Sequence, residues 1–520
     1  MLRQNHLEIL CATVKVLFQE RVPVPLNLQP HLEVFEIKIP SIKFHGFDCI
    51  LVTVLKGTDY STVNHWIKST TNWRIVLVIA PERIEFITTT LKNESLSFST
   101  AVLDYQDLKN ILLANNPHEE LLSLLVGQVN LVALSPFQIA GPVREMFYGR
   151  ENETQIIINS ILQPNKKCYA IIGPRRIGKT SLLMRIKDEI DKRKHFKTVY
   201  LDCSPYGSDI LEWGKGLFRK LEITTAFNAI ADFITQVDDY CKSHKCKLVL
   251  FLDELDDLLP TGETFSRTLR ALINEASVKI VVAGYRELYF RMHDIQSPLF
   301  NFLEKLELGS LAEKDAMALI DEPFKNILTI DKNNIRYITE KTACYPNFIQ
   351  FCCAKIIRID KIRKVREISR DDIDKVINST TFCEHMIEVY LYNLDDQSKL
   401  LLYLMMACFD KKLGKIIIDR IAYSKITRKY ANEREKYELG NKFTPFELQR
   451  LLEIYDVNLS DKEIANLMKK LVLATILKHE PESILYSFVL PDLPFILGKH
   501  IEVELTAVSL LERISEIYPK

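Results

Sequence analysis

Two short stretches of the chain hold residue types that handle phosphate chemistry. Gly173, Gly178, Lys179 and Thr180 have the spacing G-x-x-x-x-G-K-[ST]. Glycines at 173 and 178 let the backbone curl until several N–H groups face one anion. Lys179 can then reach the β- and γ-phosphates of a nucleotide, and the Thr180 hydroxyl can ligate Mg²⁺. Pro174, Arg175, Arg176, Ile177 and Ser181 complete the candidate nucleotide-binding loop; the two arginines either line the phosphates or reach a neighbouring subunit. The second stretch is LVLFLDELDDLL, from Leu248. Asp253 is the candidate Mg²⁺-organising carboxylate, and Glu254 the candidate base that orients and deprotonates an attacking water. Asp256 reads as a structural or outer hydrogen-bond partner. Taken alone, Asp253-Glu254 also fits a helix N-cap with a first-turn acid.

For these groups to meet, the loop must join a buried strand to a helix start. Cys168 to Ile172 is the apolar run before it, and Leu182, Leu183, Ile186 and Ile190 recur at helical spacing after it. The helix N-terminus adds partial positive charge at the loop. Leu248 to Leu252 is unbroken apolar sequence, as in a central parallel strand covered on both faces. Asp253 then sits at its carboxyl end, where open α/β sheets bind ligands. Further strands are predicted at 197–204, from Val278 and at 305–309, with helices at 211–221, 226–241 and 265–276. Ser310 and Glu313 have capping-box spacing, which predicts a helix from there to Ile320, stopped before Pro323. Helices at 334–342 and 347–358 follow as a lid.

The 520 residues carry 68 basic and 68 acidic side chains, so no global field draws the chain to nucleic acid or an anionic membrane. Eleven scattered cysteines, without zinc spacing, read as reduced thiols in a cytoplasmic protein. No apolar run has the length of a membrane span. The first 134 residues alternate strand and helix signals and form a small α/β domain, read as a sensor or effector. Glu36-Ile37-Lys38 matches half of a nuclease metal site but lacks the upstream Asp; alternating solvent-facing residues on a strand explain it as well.

A Phe147-Tyr148-Gly149-Arg150-Glu151 box precedes the glycine loop and the LFLDE strand. Together they resemble the prokaryotic STAND-type (signal-transduction) P-loop ATPases, relatives of the AAA+ ATPases. The resemblance covers roughly residues 141–385. It implies that Gly149 and Arg150 pack near the base, that Arg286 at a strand exit senses the γ-phosphate as a third candidate catalytic residue beside Lys179 and Glu254, and that Pro346 touches the adenine. The family's glycine two positions earlier is Cys344 here.

The basic run from Lys355 to Arg370 reads as a solvated helix face, with phosphate or nucleic-acid contact as the alternative. The last part has a winged-helix signature. An apolar helix covers 397–408, capping boxes start helices at Thr444 and Ser460, and a hairpin follows over 474–491. Asp461, Lys462, Glu463, Asn466, Lys469 and Lys470 on the 461–472 helix fit DNA poorly. The expected architecture is α/β: a P-loop NTPase parallel sheet at 141–310, a helical lid at 311–385, the small α/β domain at 1–134 and a winged-helix-like domain at 386–520. The expected function is an ATP- and Mg²⁺-dependent switch in signalling or phage defence, self-associating when a protein or nucleic-acid trigger activates it. A DNA-binding ATPase of the origin-recognition or transposition-regulator type is the alternative.

Overall fold

A computed structural model describes residues 32–37, 49–54, 75–79 and 99–128, most of 135–409 and most of 439–498. The N-terminal region forms a four-stranded sheet in the order β1 (Leu32–Ile37), β2 (Cys49–Val54), β3 (Ile75–Ile79) and β4 (Ser99–Leu103). The first pair is antiparallel and the others are parallel. Helices α1 (Tyr105–Leu113) and α2 (Pro117–Gln128) follow. Glu36 lies on β1, paired with Ile50; Lys38 and the helices expected at 1–19, 61–69 and 84–91 lie outside the described residues.

After α3 (Glu151–Leu162) comes the second sheet, built from β5 (Tyr169–Ile172), β6 (Phe196–Asp202), β7 (Lys247–Asp253), β8 (Lys279–Gly284) and β9 (Glu304–Glu307). It is parallel throughout, in the order β6-β7-β8-β5-β9. Side chains alternate along each strand and so divide the sheet between two cores. Leu248, Leu250 and Leu252 of β7 join Trp213, Leu217, Phe233, Phe265 and Leu269 on one face. These come from α5 (Ile210–Leu221), α6 (Ile230–Ser243) and α7 (Glu263–Glu275). Val249 and Phe251 face the other way, onto Leu182, Leu183 and Ile186 of α4 (Lys179–Asp191) and Ile157 and Ile161 of α3. Every residue from Leu248 to Asp253 is buried, as a run without polar alternation requires.

Beyond α8 (Arg286–His293) and β9 the chain becomes helical. It runs through α9 (Glu313–Phe324), α10 (Lys332–Lys341), α11 (Pro346–Ile356), α12 (Arg370–Ile377) and α13 (Thr380–Tyr392). The two-residue strands β10 (Thr329–Ile330) and β11 (Glu367–Ile368) pair beside them. The capping box expected at Ser310 does not form. Ala312 is the N-cap of α9, Ser310 Oγ is buried without a partner among the described residues, and the helix includes Pro323 in its last turn. The chain bends at Ser310 and Ala312 is extended, so the helix starts at Glu313, leaving Ser310 two residues short of the cap position. A single helix, α13, spans 380–392 and passes straight through the boundary expected at 385–386.

The C-terminal module holds α14 (Asp396–Phe409), α15 (Pro445–Ile454), α16 (Asp461–Leu473), a hairpin of β12 (Leu477–His479) with β13 (Tyr486–Phe488), and α17 (Leu493–Gly498). Both expected capping boxes are present: Glu447 accepts from Thr444 N–H at 2.7 Å, and Glu463 from Ser460 N–H at 2.8 Å. Phe443 bridges Tyr486 as a further short strand contact. Among the described residues no helix is long and apolar enough to cross a membrane.

Candidate nucleotide site

The site forms where β5, β7 and β8 end. Gly178 has φ +106°, a conformation other residues rarely adopt, and caps α4 with its backbone. Gly173 donates to Gly284 O of β8 at 3.3 Å, and a Cβ there would come within 2.9 Å of Leu308 O. Lys179 is buried and folds back, its Nζ donating to Pro174 O at 3.2 Å. An ammonium out of water with a carbonyl for a partner is ready to exchange it for an anion.

Asp253 is 2% exposed. Its Oδ2 accepts from Thr180 Oγ1 at 2.6 Å and Tyr200 Oη at 2.9 Å, and its Oδ1 from Glu254 N–H at 3.0 Å. A hydroxyl and a carboxylate converging on one point are hard oxygen donors, the set that suits Mg²⁺ with phosphate and water as its remaining ligands. Thr180 and Asp253 therefore fit the ion the motif implies.

Glu254 follows in a left-handed turn, φ +48°. Burial pushes its carboxyl pKa up and the Asp253 and Asp256 charges add to this, while Lys179 and Arg175 oppose it. A more basic carboxylate is a better proton acceptor. Asp256 takes the structural role: it accepts from the N–H groups of Tyr285, Glu287 at 2.7 Å and Leu288 at 3.3 Å, and so caps α8. The cap sets the exit from β8, and with it Arg286.

A cavity of about 330 Å³ opens on one side of the loop. Arg150, Tyr148, Pro346, Gly178 and Thr180 line it, together with the linker from Gln138 to Val143. Arg150 donates to Gly309 O and pairs with Glu153 at 3.2 Å, while Gly149 lies against the Asp315 side chain. Lid helix α11 holds the linker: Gln350 Oε1 accepts from Gln138 N–H at 2.8 Å, and Asn347 Nδ2 donates to Ile139 O at 3.1 Å. Ser181 Oγ accepts from Val143 N–H at 3.0 Å, so its hydroxyl also positions the linker.

Both loop arginines are engaged within the chain, by α13. Arg175 lies 4.2 Å from the centre of the Tyr392 ring. Arg176, at φ +62°, pairs with Glu388 at 3.5 Å and meets His385 Nδ1 at 3.3 Å. A guanidinium only donates, so Nδ1 accepts and the imidazole proton sits on Nε2, which donates to Asn347 Oδ1 at 2.7 Å. Burial, and then the Arg176 charge, lower the His385 pKa to about 4. From below, Tyr345 Oη donates to Arg175 O at 2.6 Å.

A second cavity, of about 420 Å³, lies beyond Lys179 and Glu254, which line both. It holds Arg286, but not alone: Arg286 pairs with Asp395 at 3.4 Å, and Asp395 also accepts from Lys470 of α16 at 2.6 Å. The structure thus places Lys179, Thr180, Asp253 and Glu254 together at the loop, with Arg175, Arg176 and Arg286 nearby on partners of their own. Tyr200, Asn347, Gln350, His385 and Asp395 escape the sequence because their partners lie far along the chain; Lys470 stands out only as one of several lysines on its helix.

Residues 163–292 match the family model described as an AAA domain. The parallel sheet, the loop and this match define a nucleotide-binding P-loop ATPase domain of AAA type. Similar solved structures include a Walker-type ATPase of Pyrococcus abyssi, at 14% identity over 69% of this chain and 99% of that one, with a TM-score of 0.46. Another is the ORC2 protein of Aeropyrum pernix in ADPNP and ADP complexes, at 12% identity over 73% and 96%, TM-score 0.45. Cdc6p from Pyrobaculum aerophilum follows at 13% identity over 72% and 97%, TM-score 0.37. No curated protein matches the chain by sequence.

Proposed function

We propose that the chain is an ATP-hydrolysing molecular switch whose winged-helix-like C-terminal module is an internal brake on the ATPase domain. The observation that carries this is the docking of α16. Lys469 pairs with Glu307 of β9 at 3.2 Å, and Lys470 pairs at 2.6 Å with Asp395, just before α14, which in turn pairs with Arg286 at the β8 exit. Leu473, at the end of the same helix, is buried in the core cluster of the sheet face that carries α5, α6 and α7. The helix that would have to enter a DNA groove is turned onto the ATPase domain, with two of its lysines engaged by carboxylates.

In the reaction the loop N–H groups and Lys179 bind the phosphates, and the lid side around Pro346 and Arg150 receives the base. Glu254 accepts a proton from a water as its oxygen attacks the γ-phosphorus; the bond to the β–γ bridging oxygen breaks, and ADP and phosphate leave. Arg286 neutralises charge on the transferred group. Mg²⁺, when held by Thr180 and Asp253, supplies charge neutralisation on the β- and γ-oxygens. ATP favours an open, self-associating state only if it binds that state more tightly than the docked one. Signalling, including defence against phage, is a setting that suits such a switch.

Sedimentation and phosphate release with and without ATP–Mg²⁺ test the reading. Oligomers are expected with ATP, retained in Glu254→Gln and lost in Lys179→Ala. Indifference to nucleotide in all three proteins would sink the switch. Salt-dependent binding of duplex DNA by the ATP-bound protein would favour the DNA-binding alternative instead.

A further inference from the structure

The cavity beyond Lys179 and Glu254 is where a third phosphate would arrive, since the first cavity already holds the lid side and the loop. Its wall is crowded with charge of both signs: besides Lys179 and Glu254 it holds Arg175, Arg286 and Lys470 together with the carboxylates of Asp256, Asp257, Glu287 and Asp395. Within this set Asp395 is placed unusually. It follows α13 and precedes α14, so it belongs to neither the sheet nor the loop. One oxygen, Oδ1, accepts from Ser398 N–H at 2.9 Å and so caps α14. The other, Oδ2, is shared by Lys470 at 2.6 Å and Arg286 at 3.4 Å. The carboxylate therefore already carries out, from within the chain, the task expected of the terminal phosphate: it neutralises the arginine at the β8 exit. Burial opposes its ionisation, but Lys470 and Ser398 hold its pKa below the usual carboxylate range.

We propose that Asp395 is an internal stand-in for the γ-phosphate, which competes with it for Arg286, and that this competition makes the site discriminate ATP from ADP. The inference rests on the nucleotide-switch reading and sharpens it. A γ-phosphate brings more charge than one carboxylate and several acceptor oxygens, so it can draw Arg286 away. ADP lacks that group and leaves the Arg286–Asp395 pair intact. The Arg286 pair is longer than the Lys470 pair and partly exposed, and is the one able to change partners. Asp395 is thus a positioning residue that lowers affinity for ATP without touching it.

The test is a thermodynamic cycle on the full chain. Calorimetric titrations with ADP and with the β,γ-imido analogue of ATP are run on wild type, Asp395→Asn, Arg286→Gln and the double variant. Lys179→Ala is the control. Asn keeps the cap on Ser398 and removes only the charge. Asp395→Asn is expected to tighten the analogue about tenfold, within the usual range of coupling between sites. ADP affinity should stay within about a factor of two, and the gain should vanish when Arg286 is Gln. Equal tightening of both nucleotides, or a gain that survives in the double variant, overturns the role of Asp395 while leaving the nucleotide site in place. Analogue binding that is indifferent to Lys179→Ala overturns the nucleotide site itself, and the inference with it.

Discussion

The two cavities that meet at Lys179 are built from different forces. On the lid side, neutral hydrogen bonds and buried rings hold the linker and the loop backbone: Gln350 to Gln138, Asn347 to Ile139, and Tyr345 stacked on Phe348 at 4.5 Å while it donates to Arg175 O. The ion pairs there, Arg150–Glu153 and Arg176–Glu388, stand beside them. On the far side the contacts are ion pairs, among them Arg286 and Lys470 with Asp395 and Lys469 with Glu307. A neutral bond in a packed wall takes little notice of a ligand's charge, whereas an ion pair near water can be outbid by a stronger anion. On the proposed reading, the wall that receives the base is held mainly by neutral bonds, and the wall that meets the terminal phosphate by pairs that can exchange.

The strongest way to separate the two walls is Glu254→Gln. Turnover should fall about 10²- to 10⁴-fold, the range for loss of a general base, while nucleotide affinity holds; phosphate release and calorimetry measure the two. A fall in affinity equal to the fall in rate would assign Glu254 to binding.

Acid should break the lid side first. Its relay from Arg176 through His385 to Asn347 needs an unprotonated Nδ1. The folded pKa of His385, about 4, lies below its ordinary 6.5, so as pH falls the unfolded chain takes up the proton first. The stabilisation is complete above pH 6.5 and is lost as pH falls from there towards 4. Urea midpoints across that window should drop in wild type and flatten in His385→Gln; parallel curves would remove His385 from the relay.

Salt gives the smallest effect, on the far side. Raising ionic strength screens exposed pairs, each worth about 0.2–1 kcal/mol. Proteolysis of the α16–hairpin segment should quicken in high salt while the linker at 138–143 stays protected. Equal exposure of both segments would erase the distinction between the walls.

What could be read from the sequence was local. The loop, its strand and its helix are contiguous, and the Thr444 and Ser460 caps need only neighbours three residues on. Ser310 had the same spacing and failed, because the helix starts only after Ala312, past the bend at Ser310. α13 left a blurred stripe in the sequence: Phe382, Cys383, His385, Met386, Val389 and Tyr390 form one buried face, but Ile387, Leu391 and Tyr392 place further apolar residues outside it. The Arg286–Asp395 contact joins a strand exit to a helix junction, and no spacing rule links the two. The arginines of the loop read equally as lining the phosphates or reaching a neighbouring subunit; no local spacing pointed to Tyr392, Glu388 and His385, which hold them within the chain.

One consequence of α13 is mechanical. Its 13 residues make a rod roughly 20 Å long at 1.5 Å per residue, with the loop arginines gripping one flank and Asp395 just beyond its end. A helix resists stretching, so slack cannot be absorbed between the two ends. A pivot of one degree at the first turn displaces the far tip by about a third of an ångström. Tilting through an arc of a few degrees is enough to part a salt bridge, and the same tilt levers on the glycine loop.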